Sequence, residues 1–278
     1  MKQGGKILAM ILDEVAKAVK PGITTKELDE LATELIFSYG AKPAFLGYEG
    51  FPAALCASVN EVIVHAIPSG DKLKEGDIVG LDLGILYPFR DCAGCFFVCG
   101  SRSEAQQEGN PALRPDDFLL GNCAPDKKVE GFYTDMARTM PVGEISPEAK
   151  KLIEVTKKSL EIGLEQVKPG NHIGDIGFAI QEYAEAQGFS IIRNLVGHGI
   201  GKDLHEDPRI PNFGKPNEGP EIKTGMCLAI EPMVAMGGYE LVKVEDGHGF
   251  RTKDKSLTAH FEHTVAVTEK GHEVLTKT

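Results

Sequence analysis

The chain has 278 residues, 42% of them apolar and 26% charged, which is enough to bury a full core and excludes a disordered or fibrous protein. Thirty basic against 41 acidic residues leave a formal charge of −11, so an electrostatic grip on nucleic acid or anionic lipid is a poor ground plan. Six cysteines, at 56, 92, 95, 99, 123 and 227, are too sparse for a disulfide scaffold and would stay reduced in a cytoplasm.

The opening MKQGGKILAMILDEVAKAV has a short apolar run, but Asp13, Glu14 and Lys17 break it before a signal-peptide core or membrane span is complete. The expectation is a soluble cytoplasmic protein. Ile7, Ile11, Val15 and Val19 fall on one face of a helix over Lys6–Val19, which VKPG at Val19–Gly22 stops. Thr24 with Glu27 has the capping-box pattern and opens a second helix running towards Gly40. In KLKEGDIVGLDLG (Lys72–Gly84), a polar turn ends in Gly76 and an apolar strand follows, carrying the acid Asp82. FYTDMARTM sets a second acid, Asp135, in a strand. Pro147–Val167 then reads as a helix, VKPG recurs at Val167–Gly170, and another helix runs from about Ile173 to Gln187 before Gly188. NLVGHGIG places His198 between glycines after a β-like run. EIKTGMCLAIEPM repeats the polar turn at Gly225 and the acid at Glu231, and HFEHTVAVT carries Glu262. The same order of helix, VKPG, helix, Gly and acid-bearing strands occurs twice, an internal duplication. It implies an α+β fold of one domain, 1–278, with helices outside a curved antiparallel sheet.

An ionised carboxylate in an apolar strand costs several kcal/mol (~3 or more) unless it is paired or binds a metal. For one such acid the ordinary reading is a strand end turned to water or held by an arginine. Four acids in repeated strands require that reading four times over. With His198 they form a set of four carboxylates and an imidazole, suited to hard or borderline divalent ions such as Mn, Fe, Co or Zn.

These segments resemble the methionine aminopeptidases, in their shorter type I form with the pita-bread fold. The resemblance rests on LGYEGFPAALCASVNEVIVHAIP, DIVGLDLGI, GFYTDMARTMPVG, NLVGHGIGKDLHEDPRIPNF, CLAIEPM and KDKSLTAHFEHTVAVT, and covers the chain apart from residues 88–130. It implies two divalent ions drawn from Co, Mn, Fe, Zn and Ni, with Asp82 as chelating acid on the first, Asp135 and Glu262 as bridging acids, and His198 with Glu231 on the second. It also implies catalytic roles for His65, His205 and Glu231, and a pocket for the methionine side chain made by Phe45, Tyr48, Phe51 and Cys56. Glu231 would both ligate and relay a proton, while His65 and His205 would donate hydrogen bonds to the scissile amide and the developing oxyanion. The implied substrates are the N-termini of nascent polypeptides, met at the ribosome, with no nucleic-acid or membrane partner and a monomeric state. The chain departs from the family near the pocket: it has no Trp, His248 stands where a tryptophan is common, and Leu204 stands where an aromatic is frequent.

Other readings remain at this stage. A catalytically inactive binding protein of the same fold would be expected to have lost ligands, and all five are present; an aminopeptidase of another N-terminal preference would keep them. The proline-specific relatives, prolidase and aminopeptidase P, would carry a large domain before the first helix. Residues 88–130, rich in Pro and Gly, read as an insertion in the turn between the Asp82 and Asp135 strands, and those strands are expected to pair as a hairpin. The spacing of Cys92, Cys95, Cys99 and Cys123 lacks the paired knuckles of common zinc sites.

Overall fold

The computed structural model describes residues 1–89 and 131–278. The expected insert, with Cys92, Cys95, Cys99 and Cys123, lies outside the described residues apart from Pro88 and Phe89. Helices α1 (Lys2–Ala18) and α2 (Thr25–Ser38) lead the first half, and α3 (Pro147–Glu165) and α4 (Ile173–Ala186) lead the second. The box at α2 forms as predicted: Glu27 N–H donates to Thr24 Oγ1 at 3.1 Å, and Thr24 N–H donates to the Glu27 carboxylate at 2.8 Å. Helix α1 begins at Lys2 rather than Lys6. Gly4 and Gly5 are poor helix formers, but they let the helix lie against Tyr87 and Leu275; a Cβ on Gly5 would stand 2.5 Å from the Leu275 carbonyl.

The strands are β1 (Lys42–Pro43), β2 (Leu55–Val59), β3 (Val62–Val64), β4 (Ile78–Tyr87), β5 (Phe132–Pro141), β6 (Ser190–Ile191), β7 (Val196–Gly199), β8 (Glu206–Pro211), β9 (Cys227–Ile230), β10 (Met233–Ala235), β11 (Leu241–Lys243), β12 (Phe250–Thr252), β13 (Thr258–His260), β14 (His263–Thr268) and β15 (Gly271–Val274). Every pairing among them is antiparallel. The curved sheet is built in segments of four, three, three and five strands. Strands β4 and β5 pair over their whole length, from Ile78 with Pro141 to Tyr87 with Phe132, as the hairpin reading requires.

The duplication reappears as geometry. Gly22 and Gly170, closing the two VKPG turns, take φ of 91° and 89°, a region glycine enters without steric cost. Their N–H groups donate to Leu73 O at 2.8 Å and Ile222 O at 3.0 Å. Gly76 and Gly225 repeat the match, donating to Val142 O at 3.0 Å and Val267 O at 2.9 Å. In each half a helix pair covers the outer face of the strands. Leu8, Leu12, Leu28 and Ile36 bury against Leu81, Leu83 and Ile85; Leu152, Leu160, Ile176 and Ile180 bury against Leu228, Ile230 and Val265. Along β4 the side-chain period of two sends those leucines outward and leaves Gly80, Asp82 and Gly84 on the inner face. The halves are tied at β5: Glu262 N–H donates to Ala137 O at 2.9 Å, and Thr264 Oγ1 both accepts from Asp135 N–H (2.9 Å) and donates to Asp135 O (2.8 Å).

Candidate active site

Five side chains from both halves converge where the helix-backed sheets meet. Asp82 pairs with Ala137 and Gly84 with Asp135, so the two aspartates are diagonal neighbours on one face of the β4–β5 ladder. His198 on β7 lies opposite Ala229, two residues before Glu231, and Glu262 stands between β13 and β14. One ligand-capable atom each from Asp135, His198 and Glu262 lie within 4.8 Å of one another. His198 Nε2 is 3.7 Å from Glu231 Oε1. His198 Nδ1 is 2.8 Å from Gly199 O; a carbonyl can only accept, so Nδ1 carries the proton and Nε2 turns a free lone pair to the acids.

The acids are buried: Asp82 is 9% exposed, Asp135 4% and Glu262 2%, and the Glu231 side chain is 12% exposed. Burial, reinforced by Asp135, holds the Asp82 carboxyl well above the usual carboxylate range. Asp135 is pushed up to about 7 by burial, against a pull from the Met136 N–H. Glu231 and Glu262 are raised by burial and by the neighbouring acids. Among the described residues no lysine or arginine pairs with any of the four, and Asp82 Oδ1 and Glu262 Oε1 have no hydrogen-bond partner at all. Buried acids turned to one another rather than to water or arginine are what a bound cation satisfies. Oxygen donors with one imidazole nitrogen suit a hard or borderline divalent ion.

Above the acids lies a cleft of about 140 Å³. All the pocket and catalytic residues expected from the sequence line it, and so do Glu49, Leu204 and His248. Phe45, Phe51, Cys56 and Leu204 are buried and make its apolar end. Burial raises the Cys56 thiol, which is therefore neutral. His248 meets the Phe51 ring edge-on at 5.6 Å and closes part of the wall. Tyr48 lines the cleft and also touches a catalytic candidate, its hydroxyl lying 2.8 Å from His205 Nδ1. That contact orients the His205 ring, whose centroid is 4.3 Å from that of His198. His65 takes the left-handed φ of 61°, a strained backbone state typical of functional sites. Burial lowers His65 and His205 below the usual histidine range, with the neighbouring His205 adding to the effect on His65, leaving neutral imidazoles that can donate. A second cleft of about 450 Å³ shares His65, His198, His205 and Glu231 and opens beyond them past Val64, Met233 and Arg209.

The repeat is also corrected in one respect. In register, Ile78–Pro141 of the first half corresponds to Cys227–Ala266 of the second. Stepping along both ladders puts Asp82 on Glu231, Ala137 on Glu262, and Gly84–Asp135 on Met233–His260, which is an observed pair. Glu262 is therefore two residues away from the position equivalent to Asp135. Sequence reasoning missed His260, although it lies two residues before Glu262 and so shares its strand face; it also missed Thr264.

The sequence pattern of metallopeptidase family M24 matches residues 1–110 and 96–269. Methionine aminopeptidase 1 of Bacillus subtilis is 42% identical over 277 residues, covering 100% of this chain and 95% of its own. The methionine aminopeptidase of Clostridium perfringens is 43% identical over 276 residues, covering 99% and 94%. The crystal structure of methionine aminopeptidase from Thermotoga maritima matches with a TM-score of 0.83 at 40% identity, covering 100% of this chain and 95% of that one. A prolidase from Pyrococcus horikoshii shares the fold, with a TM-score of 0.67 at 20% identity over 61% of its chain. With the family pattern running through both halves and relatives of this identity over nearly the whole length, the chain belongs to metallopeptidase family M24, among the methionine aminopeptidases.

Proposed function

We propose that the chain removes the N-terminal methionine of peptides and nascent proteins by metal-dependent hydrolysis of the first peptide bond, as a cytoplasmic monomer that meets its substrates at the ribosome. The observation that carries this reading is the group of four buried acids beside His198, with no lysine or arginine paired to them among the described residues, set at the floor of an apolar cleft. Asp82, Asp135 and Glu262 would hold one divalent ion, and Asp135, Glu262, His198 and Glu231 a second. Bound there, the ions supply a Lewis acid for the scissile carbonyl and a water of lowered pKa. The chain's own residues do the rest. Phe45, Phe51, Cys56 and Leu204 seat the first side chain. The polypeptide after the scissile bond runs into the second cleft. His65 and His205 donate to the amide and to the oxyanion as it develops. Glu231 takes the proton of the attacking water as the C–O bond forms and passes it to the amine as the C–N bond breaks.

The test is release of free methionine from an unblocked Met-Ala-Ser peptide, with its N-acetyl form as control, by metal-free protein before and after adding back each ion. Turnover should need metal and a free amine, and Asp135→Asn should abolish it. Undiminished turnover by metal-free protein overturns the reading. Cleavage of peptides with a different first residue in preference to Met would replace it with the other aminopeptidase specificity.

A further inference from the structure

His260 occupies, in the second half, the ladder position that Asp135 occupies in the first. Asp135 is the diagonal neighbour of Asp82, and His260 stands in the same relation to Glu231. Its side chain is 3% exposed, and its Nε2 has no hydrogen-bond partner. The atom points at Glu231, 3.7 Å from Oε2, while His198 Nε2 stands 3.7 Å from Oε1 of the same carboxylate. Glu231 is thus held between two imidazoles, one per oxygen. The backbone of His260 is pinned across the seam, its N–H donating to Thr139 Oγ1 and its carbonyl accepting from that hydroxyl, both at 2.9 Å. A buried polar nitrogen without a partner is costly, and a contact of 3.7 Å is longer than a hydrogen bond. The terminal torsion of a glutamate is soft, so a small rotation closes it.

We propose that His260 is a positioning residue for Glu231, donating its Nε2–H to Oε2 so that Oε1 is fixed towards His198 and the ion those two would share. The donor stiffens a ligand that must otherwise choose among orientations. The inference rests on the metal-centre reading through the role of Glu231 as ligand.

The experiment pairs His260→Leu, which removes the donor, with His260→Gln, which keeps one. Titration of Mn²⁺ into metal-free protein, followed by calorimetry, should show the weaker-bound ion losing about 10- to 100-fold in affinity in His260→Leu, with near wild-type affinity in His260→Gln. In peptide turnover the Leu variant should lose kcat with KM nearly unchanged, and the Gln variant should recover most of it. ¹⁵N NMR of the Zn²⁺-loaded wild type should find the His260 proton on Nε2. Equal Mn²⁺ affinity in the Leu variant, or a His260 proton on Nδ1, overturns the inference. Should the Leu variant fail to fold, the tautomer in the wild type decides alone. Failure of the wild type to take up any metal would instead sink the metal-centre reading, and ¹⁵N NMR of the metal-free protein would then judge His260 by the same tautomer.

Discussion

Thr264→Val isolates the seam between the halves from the chemistry. Gly84 turns its carbonyl away from β5 to accept Ala44 N–H at 2.9 Å, so Gly84 and Asp135 form a non-hydrogen-bonded pair and the Asp135 backbone faces the other half. There Thr264, fully buried, satisfies both its N–H and its C=O at 2.9 and 2.8 Å. Valine has nearly the same shape and can satisfy neither. Each orphaned buried group costs ~1–3 kcal/mol, so the pair amounts to about 2–6 kcal/mol. For a chain of this size that is a loss of about 4–24 °C in Tm. Thr264→Ser keeps both hydrogen bonds and deletes one methyl, a loss of about 1 kcal/mol. Urea and thermal unfolding of metal-free protein is the assay, since metal binding would add its own stabilisation. A valine variant as stable as the serine variant would show that this seam does not hold Asp135 in place.

Tyr48→Phe keeps the ring but frees His205 Nδ1; steady-state kinetics should show kcat lowered about tenfold with KM within about twofold, the worth of one hydrogen bond, and a loss confined to KM would return Tyr48 to simple pocket lining. In Gly84→Ala the new Cβ would stand 2.9 Å from Phe45 Cε1 and 3.0 Å from Ala44 Cβ, so Phe45 is pushed into the pocket; KM for Met peptides should rise severalfold with metal content unchanged, and loss of metal instead would show that the strain falls on the acids. The buried acids have folded pKa values raised above the unfolded values near ~4, Asp135 to about 7. These four groups therefore hold more protons folded than unfolded between those values, and the stability they contribute is full below about pH 4 and is lost as pH rises through about 7, while the buried histidines, lowered to about 4 at His65 and His198 and to about 3 at His260, contribute with the opposite sign. The acid contribution is isolated by the Tm of metal-free wild type minus that of metal-free Asp135→Asn, which should fall between about pH 5 and 8; a difference that rises with pH would mean that Asp135 is ionised and stabilised without metal.

The sequence by itself determined what local chemistry controls. The capping box at Thr24, the VKPG turns and the apolar stripes of the helices involve residues within a turn or two of one another, and all appear where periodicity and turn residues put them. The duplication carried this further, because the same step of six positions from a turn glycine through an apolar run to an acid, Gly76 to Asp82 and Gly225 to Glu231, was visible in both halves. Which residues then meet was decided by the tertiary structure. Asp82 and Asp135 are 53 residues apart in sequence and become neighbours only through the β4–β5 ladder. Ladder register is a property of two strands at once, and a shift of two residues keeps every side chain on the same face. For that reason no strand pattern could show that His260, rather than Glu262, matches Asp135. Packing likewise carried α1 back through Gly4 and Gly5, and set the Tyr48 hydroxyl on His205, 157 residues away. Such contacts depend on where distant backbones come to rest, which side-chain identity along a single strand does not encode.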